Sequence, residues 1–193
     1  MHFSWPRLFP SGAVAVVAAS LLYPAIVHVS RAIVPPLAFV AASLALIGLR
    51  LATLRSPMER VWHVPLLSAA TIIAALAALD TSLAAKAYPA AVSLAAVTAF
   101  GATLLHPPSL IERFARLHEP DLPPAAQSYC RKVTIVWTVW LIANTIIAAV
   151  LSLPGHDEAW ALWTGLVAYL FMGALFAGEI VVRRIVRGRD AMT

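Results

Sequence analysis

Cysteine and charge are what this chain has least of: one Cys, and only 12% Asp, Glu, Lys and Arg among 193 residues. The single thiol, Cys130, excludes an internal disulfide and any metal site assembled from several cysteines. The shortage of charge has a larger consequence. A globular domain is about a quarter charged and about half apolar, whereas here 61% of residues are apolar and the mean hydropathy is +0.84. A water-soluble fold cannot cover that much apolar surface. Local catalytic signatures are missing as well: there is no G-x-S-x-G nucleophile turn, no phosphate-binding glycine loop and no H-E-x-x-H helix. None of the six histidines is followed by Asp five residues on, the spacing of many membrane acyltransferases. The expectation is a protein without a recognisable catalytic centre, cofactor motif or metal site.

What the chain does have is long apolar runs. A helix needs about 20 mostly apolar residues to cross a hydrocarbon layer of about 30 Å, and six stretches qualify: 11–29, 36–54, 61–79, 87–105, 133–153 and 159–182. They predict an all-α, polytopic membrane protein, a single bundle over 1–193 with one sizeable loop from 106 to 132. Lys and Arg orient it, because in short loops they resist translocation while acidic residues count for little. Arg7, then Arg50, Arg55 and Arg60, then Arg113, Arg116, Arg131 and Lys132, then Arg183, Arg184, Arg187 and Arg189 fall in alternate gaps; only Arg31 and Lys86 face the other way. Both termini are accordingly expected in the cytoplasm. Asp80, Asp157 and Glu158 then lie outside, and Trp160 and Trp163 in the outer headgroup layer. A pI near 10.0 does not point to nucleic acid, since the basic residues flank spans instead of lining one folded face. Anionic lipid headgroups are their expected counterions. Arg7 ahead of Ala18-Ala19-Ser20 has the outline of a cleaved signal, but the apolar run continues to Val29, so an uncleaved first helix is expected.

Small residues recur at every fourth position in the third and fourth spans: Ala70, Ala74 and Ala78, then Ala91, Ala95 and Ala99. That spacing predicts a tight hairpin in which backbones approach closely. Pro24 within the first span, with Pro35 and Pro36 opening the second, predicts a kinked pair near the outer surface. Two polar features stand out inside the spans. Asn144, beside Thr145 in the fifth, must either bond across helices or line a cavity. Glu179, in the sixth, precedes Arg183 by four residues, the spacing of an ion-pair anchor and also compatible with a proton relay.

The loop begins His106-Pro107-Pro108-Ser109, and Ser109 with Glu112 forms a capping-box pattern at the start of a short helix. Leu110, Ile111, Phe114 and Leu117 on one face, against Glu112, Arg113 and Arg116 on the other, predict an amphipathic helix lying in the headgroup plane. It should end near His118, because Pro120 disfavours helical geometry in Glu119. Glu119-Pro120-Asp121-Leu122-Pro123-Pro124 then reads as a stiff extended segment whose carboxylates stand close to Arg116 and Arg131. It is either a plain connector or a docking surface for a soluble partner or a lipid headgroup, with Arg113, Arg116, Glu119, Asp121 and Arg131 as its contacts. His118, Glu119 and Asp121 are metal-ligand types, but adjacency in an extended segment converges poorly, and no metal is expected.

The stretch Ser109-Leu-Ile-Glu-Arg-Phe-Ala-Arg-Leu-His-Glu-Pro-Asp-Leu-Pro-Pro124, followed by Tyr129-Cys-Arg-Lys-Val-Thr-Ile-Val-Trp137, Asn144 and Leu175-Phe-Ala-Gly-Glu-Ile-Val-Val-Arg-Arg184, resembles a family of small bacterial inner-membrane proteins of unassigned activity. Members are typically encoded among aryl polyene, xanthomonadin-like or type II fatty-acid-like synthesis genes. In the first half only Tyr23-Pro24 and general hydropathy match. The label ketosynthase sometimes travels with the family through its neighbours; a ketosynthase needs a soluble thiolase-like fold and an activated cysteine, neither of which is visible here. The resemblance implies an accessory protein for synthesis or assembly of an acyl or aryl polyene lipid; a catalytic site assembled from distant positions in the bundle stays open, without a motif to support it. It would contact membrane lipids and dock soluble biosynthetic enzymes or acyl carrier protein, with Arg113, Arg116 and Arg131 meeting acidic surfaces and no cofactor required. The alternative is a transporter or flippase in which Asn144 and Glu179 line a path for the lipid product.

Overall fold

The computed structural model describes residues 11–54, 57–117 and 119–190, of which 11–17, 21, 57–58, 60 and 183–190 as backbone alone. Every regular element among them is helical. In chain order they are α1 (Ser11–Ser30), α2 (Pro36–Thr53), a 3-10 turn (Pro57–Trp62), α3 (His63–Leu79), α4 (Thr81–Leu105) and α5 (Leu110–Ala115), then α6 (Pro124–Leu151), α7 (Asp157–Leu162), a π-helical turn (Trp163–Val167) and α8 (Ala168–Asp190). Four stretches are long and apolar enough to cross a membrane: α2, α4, α6 and the helical run Asp157–Val182; α3 is a shorter apolar helix. Their outward surfaces carry exposed Leu49, Val64, Val139, Ile146, Leu170 and Phe176, the reverse of a soluble fold. α4 and α6 begin earlier than hydropathy alone predicts. Asp80 caps α4, its Oδ1 accepting the Ser82 and Leu83 amides at 2.8 and 3.1 Å, which draws the polar turn after it into the helix. Pro124 opens α6 with a φ already suited to a first turn, so residues 124–132 are helix and not loop.

α4 is the hub, packed against α1, α2, α3, α5 and α6. Its Ala91, Ala95 and Ala99 are buried, and this small-residue stripe lets neighbouring backbones close in. The matching stripe on α3 joins the contact only in part. Leu66, Ala69 and Ile73 are buried and Ala70 is half-buried against the core, while Ala74 and Ala78 are exposed. Leu66, Ala69 and Ile73 alternate three and four apart, a spacing that keeps side chains on one seam between neighbouring helices.

At one end of the bundle Asp157, at the start of α7, takes Lys86 Nζ on one carboxylate oxygen at 2.7 Å and Arg31 Nη1 on the other at 2.6 Å. The end of α1, the first turns of α4 and the start of α7 are thereby tied together. Trp160 is 1% exposed, turned inward and not into a headgroup layer; its indole N–H donates to the Lys86 carbonyl at 3.2 Å. The Ser152 hydroxyl reaches the same carbonyl at 3.1 Å.

Two Tyr-Pro pairs hold α1 against α4. Pro89 lacks an N–H, so the Ala85 carbonyl one turn earlier loses its helical donor; the Tyr23 hydroxyl supplies one at 2.8 Å, with the Phe39 carbonyl of α2 at 3.1 Å sharing the same proton. Reciprocally, Tyr88, just before Pro89, donates to the Ser20 hydroxyl at 2.8 Å, one turn ahead of Pro24. The two rings meet with centroids 4.6 Å apart at 53°, within the range of favourable tilted aromatic pairs. Tyr23→Phe should lower stability in detergent by about 1–2 kcal/mol by leaving a buried carbonyl without a donor. In a Pro89→Ala background, where the restored backbone amide can bond the Ala85 carbonyl, the same change should cost markedly less. Equal losses in both backgrounds, measured by denaturant titration, would show that the hydroxyl does not replace the missing amide.

Candidate functional site, a groove between α6 and α8

α6 and α8 face one another across aromatic side chains, not small ones, and this sets them apart. In the half nearest α7, Trp140 stacks on Phe171 with centroids 5.3 Å apart at 24°, and Trp163 lies 6.4 and 6.1 Å from these two rings. Trp137 meets Phe176 edge-on at 5.8 Å, and the Tyr129 hydroxyl reaches the Glu179 carbonyl at 3.5 Å. Bulky pairs close the seam at their own level and leave space around it. The result is an open groove of about 1250 Å³, larger than the roughly 300–1,000 Å³ of ordinary small-molecule sites. Phe100 of α4 with Cys130 and Val133 of α6 line one side, Tyr169, Met172 and Gly173 of α8 the other. α5 and the segment after it close one end with Ile111, Phe114, Glu119 and Leu122. A Cβ built on Gly173 meets nothing within 4 Å, so the groove is open at that point.

α5 is positioned by two threonines of other helices, not by its own capping box. Ser109 occupies the N-cap position but its side chain makes no cap bond, and Glu112 pairs with Arg116 instead. The Leu110 amide donates to Thr103 Oγ1 of α4 at 2.9 Å and the Ile111 amide to Thr134 Oγ1 of α6 at 3.4 Å. Both hydroxyls in turn donate to carbonyls of their own helices, Phe100 and Cys130, at 2.8 Å. With its amides taken by α4 and α6, α5 is drawn onto the bundle. Leu110 and Glu112 become buried while Phe114 and Leu117 are exposed, so each of the two expected faces contributes one residue to the contact with the bundle. The helix stops at Ala115 with Arg116 as its C-cap, and His118 lies outside the described residues.

The arginines expected to meet a partner are spent largely on this chain. Arg113 donates to the Pro108 and His106 carbonyls at 2.8 and 3.2 Å, Arg131 to the Leu104 carbonyl at 3.0 Å, and Arg116 to Glu112 at 3.0 and 2.8 Å and to the Pro120 carbonyl at 3.0 Å. Arg131 thus serves an orphan carbonyl at the end of α4, a role that cations near helix C-termini fill well. The ion pair of Arg116 is with Glu112, four residues back, so the expected pairing with Glu119 or Asp121 is replaced by the helical neighbour. Asp121 is exposed beside this turn. Asn144 bonds in both directions across helices: its Nδ2 donates to Ser93 Oγ of α4 at 3.1 Å, and its Oδ1 accepts the Trp163 indole N–H at 3.0 Å. Glu119 and Glu179, 60 positions apart in the chain, both line the groove. Arg183 continues the backbone of α8, and its side chain lies outside the described residues.

The groove residues that local motifs do not mark carry a helical signature. Tyr129, Val133 and Trp137 recur every four residues on α6, and Tyr169, Met172 and Phe176 recur every three or four on α8, in line with Glu179. Each set marks one face; that the faces oppose one another is visible only in three dimensions. No family model, curated protein or solved structure matches the chain. Asn144→Leu should weaken the bundle by about 0.6–1.7 kcal/mol, the scale of interhelical side-chain bonds in membranes, and should alter the emission of the Trp140–Trp163–Phe171 cluster. Unchanged stability and emission would remove Asn144 from the set of residues joining α4, α6 and the π turn.

Proposed function

We propose that this chain is a six-span protein of the bacterial inner membrane, both termini cytoplasmic, serving the synthesis or assembly of an acyl or polyene lipid by holding the lipid chain in the α6–α8 groove. The groove carries this reading. From Ala126 to Trp137 it follows α6 for about 16 Å at 1.5 Å per residue, close to the depth of one leaflet of a hydrocarbon layer about 30 Å thick. Its walls are apolar and aromatic except toward α5, where Glu119, Tyr129 and Glu179 give the end a polar character. An amphiphile would seat with its tail along Val133, Trp137 and Phe176 and its polar end at the α5 loop, within reach of soluble enzymes or acyl carrier protein docked there. The resemblance of that loop to proteins encoded beside polyene synthesis genes supports the same assignment. Arg113 and Arg116 hold the loop's carbonyls and Arg131 one at the end of α4, so the docking surface is the folded loop as a whole.

The alternating Lys and Arg distribution supports the orientation. Reporter fusions after Lys132 should be cytoplasmic and fusions after Asp80 or Gly155 external; the opposite pattern would reverse the assignment. In cells, photoactivatable long-chain acyl analogues should label the groove faces of α6 and α8. Gly173→Trp, whose ring enters open space, should fold normally and lose at least about 90% of that labelling. Full labelling in this variant would place the lipid elsewhere. Deleting the gene should abolish the lipid product, whereas normal synthesis with product trapped in the inner membrane would favour transport over an accessory role.

A further inference from the structure

A second cavity lies at the end of the bundle away from α5, where α1, α4 and α7 are tied together. Its volume is about 360 Å³, within the roughly 300–1,000 Å³ range of small-molecule sites. Val27, Val34, Phe39 and Leu83 give it an apolar side, and Arg31, Lys86, Asp80 and Asp157 line it with both signs of charge. The connections at this end, residues 30–36, 79–82 and 151–157, are all described with their side chains. Their ion pairs leave much of the polar capacity unused. Asp157 takes one N–H from each cation, and among the described residues neither Arg31 nor Lys86 gives its side chain to another partner. A guanidinium carries five N–H donors and an ammonium three, so several remain, those of Lys86 at only 15% side-chain exposure. Two cations against one carboxylate leave a positive surplus there. Asp80 supplies a separate negative group: its Oδ1 accepts the α4 capping amides, and its Oδ2 has no partner among the described residues. The rim is apolar, since Ile33, Leu37 and Leu79, each next in the chain to a lining residue, are exposed. A charged pocket with such a rim, at the first turns of the membrane-length helices α2 and α4, sits where lipid headgroups lie.

We propose that this pocket binds the headgroup of a phosphoethanolamine lipid from the surrounding leaflet, its phosphate on Arg31 and Lys86 and its ammonium on Asp80. Arginine offers phosphate paired N–H groups and lysine a point charge, and a primary ammonium donates to a carboxylate oxygen. Because all three side chains line one cavity of this volume, a single headgroup can meet them together. A choline head has no N–H to give Asp80, and a glycerol head brings the phosphate without a cation. The glycerol backbone and first methylenes would follow Val34 and Phe39 toward the hydrocarbon layer. The inference stands apart from the α6–α8 groove and uses none of its residues.

The test uses the full chain carrying Gly173→Trp, so that lipid held between α6 and α8 does not contribute. In detergent it is titrated with dioleoyl lipids bearing phosphoethanolamine, phosphocholine or phosphoglycerol heads, and native mass spectrometry counts the lipid bound. The phosphoethanolamine lipid should be retained at least about threefold over the other two, the scale of one partly solvated charged contact. Asp80→Asn keeps a good helix cap while removing the carboxylate; it should erase that preference and leave the phosphocholine lipid bound as before. Arg31→Gln should weaken retention of all three by at least about threefold. Equal retention of the three lipids overturns the proposal, as does a preference that survives Asp80→Asn. Retention unmoved by Arg31→Gln makes the ion pair with Asp157 purely structural and overturns it too. Water-soluble phosphoethanolamine that displaces the lipid as effectively as a short-chain phosphoethanolamine lipid does would put a water-borne ligand in the pocket and overturn the lipid assignment.

Discussion

A backbone amide or carbonyl that loses its partner inside an apolar bundle has no water to turn to, and this one constraint organises much of the structure. Proline inside a helix creates such orphans, and α4, the helix on which the others converge, contains one at its buried face. The Ala85 carbonyl that Pro89 cannot serve is served by Tyr23 of α1, and Tyr88 reaches back to Ser20 beside Pro24. At Pro89 the break in the helix is served by the neighbouring helix, and together with the Tyr88–Ser20 bond this fixes how α1 and α4 sit. The same logic recurs at the helix ends. Asp80 caps α4, Thr103 and Thr134 take the first amides of α5, and Arg113 and Arg131 take carbonyls at the loop.

Residue size decides where the bundle is tight and where it opens. On α4 alanines at 91, 95 and 99 are buried against close neighbours. Between α6 and α8 the contacts are Trp140 on Phe171 and Trp137 on Phe176, rings that touch at their own level while holding the helix backbones apart. The contrast leaves a cavity of about 1250 Å³ on one side of the molecule. Anchorage of α8 is concentrated where α7 enters it, through the Asp157 ion pairs and Trp160. Toward α5 the walls of the groove are α6, α8 and the loop, and Glu119 and Glu179 are among its lining residues.

Polar residues in a membrane bundle invite functional readings, and several here are occupied structurally. Asn144 looked equally suited to a cavity or an interhelical bond; the structure has it holding Ser93 and Trp163. The loop arginines looked like a docking surface, and their N–H groups go mainly to main-chain carbonyls. Glu119 and Glu179 both border open space.

From residue order alone came the all-helical class, the four long membrane-length helices among those expected, the short helix after Ser109 and the buried alanine face of α4. Each depends on periodicity or local composition, which residue order carries directly. Tertiary structure decided what depends on a partner distant in the chain. Leu66, Ala69 and Ile73, with Ala70 beside them, form the α3 seam in place of Ala74 and Ala78; Thr103 and Thr134 cap α5 in place of Ser109; Trp160 turns inward to Lys86. Glu119 and Glu179 reach one groove from positions 60 residues apart. A hydroxyl, an indole N–H or a carboxylate satisfies itself with whichever group folding brings nearest, and a linear pattern specifies the need for a partner without specifying which one.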